Sequence, residues 1–235
     1  MSHIHLPDGV IPVFWWIVGY VLTAAMLGLA ISRTKSTEAR RKVPLLGIIA
    51  AIMLIGQSIP LGFIPFHLGL AVLAGIVLGP WLGFMAAFIS NMFLALIGHG
   101  GITVVGLNTM VVGSEVIIGY LLYGMVRRAI ARPVLPVVLA TTLTLIITIT
   151  FMVGVVAIAQ VNPALILMGE EEGAIRESVV DSPAAISLRR FITLIVPIAA
   201  IGIAIEALAT GLIVKFIMGV RPDIVGAPAR ERGGR

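Results

Sequence analysis

Apolar residues run almost unbroken through residues 10–31, 43–59, 68–97, 102–126, 134–159 and 191–219, with charged residues gathered between the runs. A helix of roughly 20 residues spans a bilayer, so each run is long enough for one crossing. The third run is interrupted at Gly79-Pro80 and is read as two helices, which makes seven. Its first half, residues 68–79, holds only 12 residues. At about 1.5 Å per residue that half covers roughly 18 Å of a hydrocarbon core about 30 Å thick. Either the preceding Pro60-Leu61-Gly62-Phe63-Ile64-Pro65 stretch dips into the bilayer or the helix starts deep in the protein. Irregular backbone at that depth is tolerated where it lines a cavity or is buried against helices. His67 stands at the head of this half and is the expected floor or wall of such a cavity.

Composition agrees with an all-α protein of seven transmembrane helices. Hydrophobic residues make up 59% of the chain and charged residues 11%, where a soluble domain carries about a quarter charged. The formal charge of +5 points to topology rather than to nucleic acid, because the basic residues lie between spans with no aromatic interleaving. Arg33, Lys35, Arg40, Arg41 and Lys42 follow the first span, Arg127, Arg128 and Arg132 follow the fifth, and Lys215, Arg221, Arg230, Arg232 and Arg235 close the chain. The positive-inside rule makes all three segments cytoplasmic, with the N-terminus outside and the C-terminus inside. The outer loop before the last span then carries Glu170, Glu171, Glu172, Glu177 and Asp181 against Arg176, Arg189 and Arg190. Residues 1–220 read as a single transmembrane domain and 221–235 as a short basic cytoplasmic tail. The segment after Met1 lacks the charged start and small-residue cleavage site of a signal peptide, so the first helix is expected to stay.

Cysteine is absent, which excludes disulfides, thiolate metal sites and thiol catalysis. No Gly-Lys-Ser/Thr loop is present, so this chain is not expected to hydrolyse ATP through that motif. The four histidines, His3, His5, His67 and His99, all fall on the outer side of this topology. Imidazole is the usual nitrogen ligand for nickel, cobalt, copper and zinc, and neutral histidines gather around a metal without thiolates. The competing reading leaves His3 and His5 as disordered terminal residues and has His67 and His99 merely hydrogen-bond backbone at helix ends. Loss of Met1 would expose Ser2-His3, whose amine, backbone amide and imidazole offer three nitrogens of a square plane. Such sites favour Ni(II) or Cu(II). If Met1 is kept, His3 stands third from the amine and chelates in another way.

Glu115 and Glu206 lie inside apolar runs, where a charge is costly and faces a partner or a cavity. Glu115 is read as structural or gating, whereas Glu206 has no evident partner in the sequence. Gly47, Ala50, Ala51, Gly75 and Gly79 allow close helix approach, either to partner helices or within the bundle.

Three motifs carry a resemblance: His3-Ile4-His5-Leu6-Pro7-Asp8-Gly9, Pro65-Phe66-His67-Leu68-Gly69, and His99-Gly100-Gly101-Ile102-Thr103 followed by Gly106-Leu107-Asn108. In this order they resemble the CbiM/NikM family, the membrane-embedded substrate-capture components of energy-coupling factor transporters for cobalt and nickel. The resemblance runs from the N-terminus to about Tyr120, the remaining spans matching in number and character only, and it implies that residues 1–220 form a single substrate-binding domain. It implies that the N-terminus folds inward and supplies its amine, a backbone amide and the adjacent histidine to Co(II) or Ni(II), the transported ion. A histidine of the third-helix region joins them, and His67 matches it. The implied metal residues are therefore Ser2, His3, His5 and His67. Aligning on Pro7-Asp8-Gly9 selects His5, whereas distance from a processed amine selects His3. His99 and Asn108 match residues that orient the ligands. The sequence departs from the family at Ser114-Glu115 and in a start two or three residues longer. Implied partners are a transmembrane coupling protein, two cytoplasmic ATPases and a small extra membrane subunit, in the cell membrane. No resident cofactor is implied. Two other readings remain: a capture component for an organic vitamin, and an intramembrane metalloenzyme, against which the missing His-Glu-x-x-His motif weighs.

Single cysteines at Ser36, Ala131 and Ala229 are expected to be shielded from an impermeant thiol reagent added outside, and one at Ser178 to react. The reverse labelling pattern would overturn the orientation.

Overall fold

The computed structural model describes residues 12–34, 36–58, 67–159 and 188–225. Among them the fold is all-α, with seven helices: α1 (Val13–Arg33), α2 (Ser36–Ser58), α3 (Ala71–Leu78), α4 (Pro80–Leu96), α5 (Val105–Ala129), α6 (Leu135–Ala159) and α7 (Leu188–Val220). By length and apolarity α1, α5 and the Val196–Val220 part of α7 suffice to cross a membrane, and Lys42–Ser58, Pro80–Leu96 and Leu135–Thr150 are shorter apolar helices. Large apolar side chains cover the outside, among them Phe14, Leu121, Leu208 and Phe216. A soluble protein rarely exposes so much contiguous apolar surface, whereas lipid solvates it.

The break at Gly79-Pro80 is present. Gly79 takes φ +84°, open to a residue without a Cβ, and Pro80 begins α4, where its missing N–H is not needed. α3 and α4 fold back on each other there, and a Cβ at Gly83 would stand 3.1 Å from the Ala74 carbonyl oxygen. The expected start of the third helix moves: residues 67–70 are not helical, and α3 holds only the eight residues from Ala71 to Leu78. All eight are buried, with α2, α4, α5, α6 and α7 around them. α3 is thus the axis of the bundle.

Glycines bring the other helices close. A Cβ at Gly75 would lie 2.4 Å from the Val116 carbonyl oxygen of α5. A Cβ at Gly106 would lie 2.5 Å from the Tyr20 nitrogen, so α1 and α5 meet backbone to backbone. Thr23 donates to the Gly106 carbonyl at 2.7 Å and Tyr20 to that of Ile102. Of the small residues noted in the sequence, Gly75 and Ala50 pack within the bundle, whereas Gly47 and Gly79 have open space where a Cβ would be and Ala51 is exposed.

At the end bearing the α3–α4 turn, a cleft of about 1030 Å³ is lined by Arg33, Lys42, Trp81 and Arg221. The Arg33 guanidinium lies 6.0 Å from the Trp81 ring centroid. Arg221 donates to both oxygens of Asp223, at 3.0 and 2.9 Å, and this bond holds the Asp223 carboxyl below its ordinary range. Val225 is buried in the core, so the chain after α7 turns back onto the bundle.

Gly75→Ala is expected to destabilise the fold by about 1–3 kcal/mol, since the added methyl meets backbone rather than a side chain that yields. Gly47→Ala, in open space on a helix, should be neutral or gain up to about 1 kcal/mol. Thermal unfolding of both variants in detergent measures the difference.

Candidate functional site

The site lies at the bundle end away from the basic cleft and begins with a spare carbonyl. Within a helix the Gly56 carbonyl would accept from residue 60, but Pro60 has no N–H. The Leu68 N–H takes that acceptor at 2.9 Å, which turns the chain back along α2. A Cβ at Gly56 would lie 2.7 Å from the Leu68 oxygen, so only glycine allows the approach.

Residues 67–70 then pass through the bundle with little help from helical bonds. Gln57, fully buried, donates its amide to the Gly69 carbonyl at 3.1 Å and accepts from the Ser90 hydroxyl at 3.4 Å. Glu206 of α7, also fully buried, accepts the Gly69 N–H at 3.2 Å and the Leu70 N–H at 2.9 Å, one on each carboxylate oxygen. Leu70 sits at φ +55°, ψ +20°, a left-handed conformation that costs a side-chain-bearing residue about 1–2 kcal/mol. Its carbonyl accepts the Ala74 N–H and opens α3. These bonds tie one short stretch to α2, α4 and α7.

His67 heads this stretch and meets His99, with ring centroids 5.0 Å apart and planes at 68°. His99 is placed by the way α4 ends. Gly98 takes φ +81° and donates to Ala95 at 3.2 Å, while the His99 N–H donates to Leu94 at 2.9 Å. That pair of bonds is a Schellman cap, which only a residue tolerant of positive φ closes cheaply. Gly100 is also at positive φ, and the loop leads into α5, whose first turn buries Asn108. The Tyr20 hydroxyl bonded to Ile102 secures α1 to the loop.

The structure therefore brings His67 and His99 together and buries Asn108 beside the same loop. Ser2, His3 and His5 lie outside the described residues. Among the described residues no group of three or more His, Asp or Glu side chains forms a metal cluster, so this part offers two imidazoles. Glu115 is buried, and lies seven residues beyond Asn108 on α5, about 10 Å deeper by helical rise. Sequence reasoning missed Gln57 and Ser90 and left Glu206 without a partner. A buried amide must find hydrogen-bond partners, so Gln57 inside an apolar run was the available signal.

The family described as cobalt uptake substrate-specific transmembrane region, CbiM, matches residues 5–224. A Haloquadratum walsbyi protein named for metal transport is 35% identical over 135 residues, 53% of this chain and 59% of that protein. An Archaeoglobus fulgidus protein named for fused nickel transport, NikMN, is 32% identical over 130 residues, 53% of this chain and 43% of its own length. The matches thus span about half the length of these curated relatives. A crystal structure of a truncated transition metal transporter superposes with a TM-score of 0.69 at 18% identity, covering 92% of this chain and 99% of the other, and the two share the fold.

Proposed function

The chain belongs to the CbiM family of cobalt-uptake substrate-specific transmembrane regions, and on that premise we propose that it is the metal-capture component of an energy-coupling factor transporter importing Co(II) or Ni(II). The observation that carries this reading is His67, held on a tethered backbone segment with its ring against His99. An imidazole whose backbone is already fixed loses little further freedom on binding an ion, and such preorganisation favours affinity. The proposed ligands are nitrogens of Ser2, of His3 or His5, and of His67. His99 and Asn108 orient them, because a partner on the second ring nitrogen sets the tautomer of a ligating imidazole.

In this reading the chain crosses the cell membrane seven times, the third crossing being shared by residues 67–70 and the short α3, with the N-terminus outside and the basic cleft of Arg33, Lys42 and Arg221 on the cytoplasmic face. Metal arrives from outside at the histidine end. Release inward is driven by partners, a transmembrane coupling protein and two ATPases, with a small extra membrane subunit alongside them. Cobalt and nickel are both served by nitrogen donors, and the family description and the Archaeoglobus relative's name point to one each.

Ligating nitrogens must be deprotonated, so metal binding is expected to release protons and to weaken as pH falls. His67→Ala should abolish high-affinity Ni(II) and Co(II) binding in isothermal titration of the detergent-solubilised chain, and His99→Ala should weaken it about 10- to 100-fold. Whichever of His3→Ala and His5→Ala loses binding identifies the N-terminal ligand. Unchanged affinity in His67→Ala would overturn the reading.

A further inference from the structure

We propose that Glu206 is the positioning residue of the capture site, holding His67 in register from α7 through the backbone of Gly69 and Leu70. The inference rests on the reading of His67 as a metal ligand. Its basis is the two hydrogen bonds, 3.2 and 2.9 Å, that a fully buried carboxylate accepts from successive N–H groups 137 and 136 residues away.

A carboxylate inside an apolar bundle costs several kcal/mol unless donors replace its hydration, and the Gly69 and Leu70 N–H groups are such donors. Only a carboxylate presents two acceptor oxygens and no donor, which matches two parallel N–H groups. Those groups stand just before the first turn of α3, whose dipole favours negative charge at that place. Gly69 is two residues from His67, at most about 7.6 Å along the backbone, so a change in its peptide plane is carried to the imidazole. Ligand geometry has to hold within about 0.5 Å, and a few tenths of an ångström at Gly69 therefore matter. Leu70 adds the need for restraint, since its left-handed backbone persists only where surroundings hold it.

The tether also joins two elements that meet at the opposite end of the molecule. The α3–α4 turn, from Gly79 to Trp81, and Arg221, Asp223 and Ile224 after α7 line the same basic cleft. Glu206 faces inward between exposed Ile205 and Leu208, with Ala207 and Thr210 buried beside it. Through Glu206 the peptides beside His67 are thus tied to α7.

The test uses Glu206→Gln in the full chain. Gln keeps the shape but turns one acceptor into an N–H₂ that faces an N–H. Amide exchange at Gly69 and Leu70 in the metal-free protein is expected to quicken at least tenfold, Ni(II) affinity to fall at least tenfold, and the ligand-field absorption of Ni(II) at saturation to shift away from that of the unmutated chain. A merely structural role would lower the unfolding temperature and leave the saturated spectrum that of the unmutated chain, and this result overturns the proposal. Faster exchange with unchanged affinity overturns it too. Should Glu206→Gln not fold, Glu206→Asp, which keeps the charge and shortens the reach by one methylene, is read in the same way. If the unmutated chain binds neither Ni(II) nor Co(II), the capture reading falls and the positioning role with it; if it binds and the variant matches it, the positioning role alone falls.

Discussion

A peptide group without a partner costs several kcal/mol in an apolar surrounding, and residues 67–70 carry their peptides through the bundle outside any helix. The rest of the arrangement follows from how that demand is met. The Gly56 carbonyl is available because Pro60 cannot claim it, Gln57 supplies an amide, and Glu206 supplies two acceptor oxygens. Each is a residue that would be a defect in an isolated apolar helix. Together they make stable the non-helical stretch that His67 heads.

Close packing sets the frame around that stretch. α3 is too short to hold itself upright by its own ends, and its position comes from neighbours pressed against every side. Gly75 against Val116, and Gly83 beside Ala74, remove the side chains that would hold α3 off α5 and α4. In lipid, where apolar burial between helices gains little, such van der Waals contact is what draws helices together. The Gly19–Gly106 crossing does the same for α1, and the hydroxyls of Thr23 and Tyr20 fasten it to carbonyls of α5 and of the loop before it.

Polar groups divide the molecule into unlike ends. Arg33, Lys42 and Arg221 gather around the open cleft at one, and His67 and His99 meet at the other. Between them the acidic side chains Glu206 and Glu115 are buried, and Glu206 is matched by donors from the bundle itself. This is a cheap arrangement electrostatically, because cations stay near water and the buried carboxylate of Glu206 has its hydration replaced by N–H groups.

Much of this was written in local sequence. Hydropathy runs mark seven helices because lipid-facing residues are apolar whatever their neighbours do, and Gly79-Pro80 marks the hairpin because both residues act on their own backbone. That His67 and His99 share one end could be read from the topology that charge implies. The start of α3 could not be read, since Leu68, Gly69 and Leu70 look like helix and lose their helical bonds only to distant competitors. Nor could the contact of the His67 and His99 rings, which needs the stretch and the cap to be placed at once. The partners of Glu206 lay furthest from view: a hydrogen bond across 137 residues leaves no periodicity and no neighbour pattern. Sequence by itself determined which segments leave water and which residues are too polar to be there without a reason; the tertiary structure decided what that reason is, because a buried polar group is satisfied by whatever the fold brings within about 3 Å.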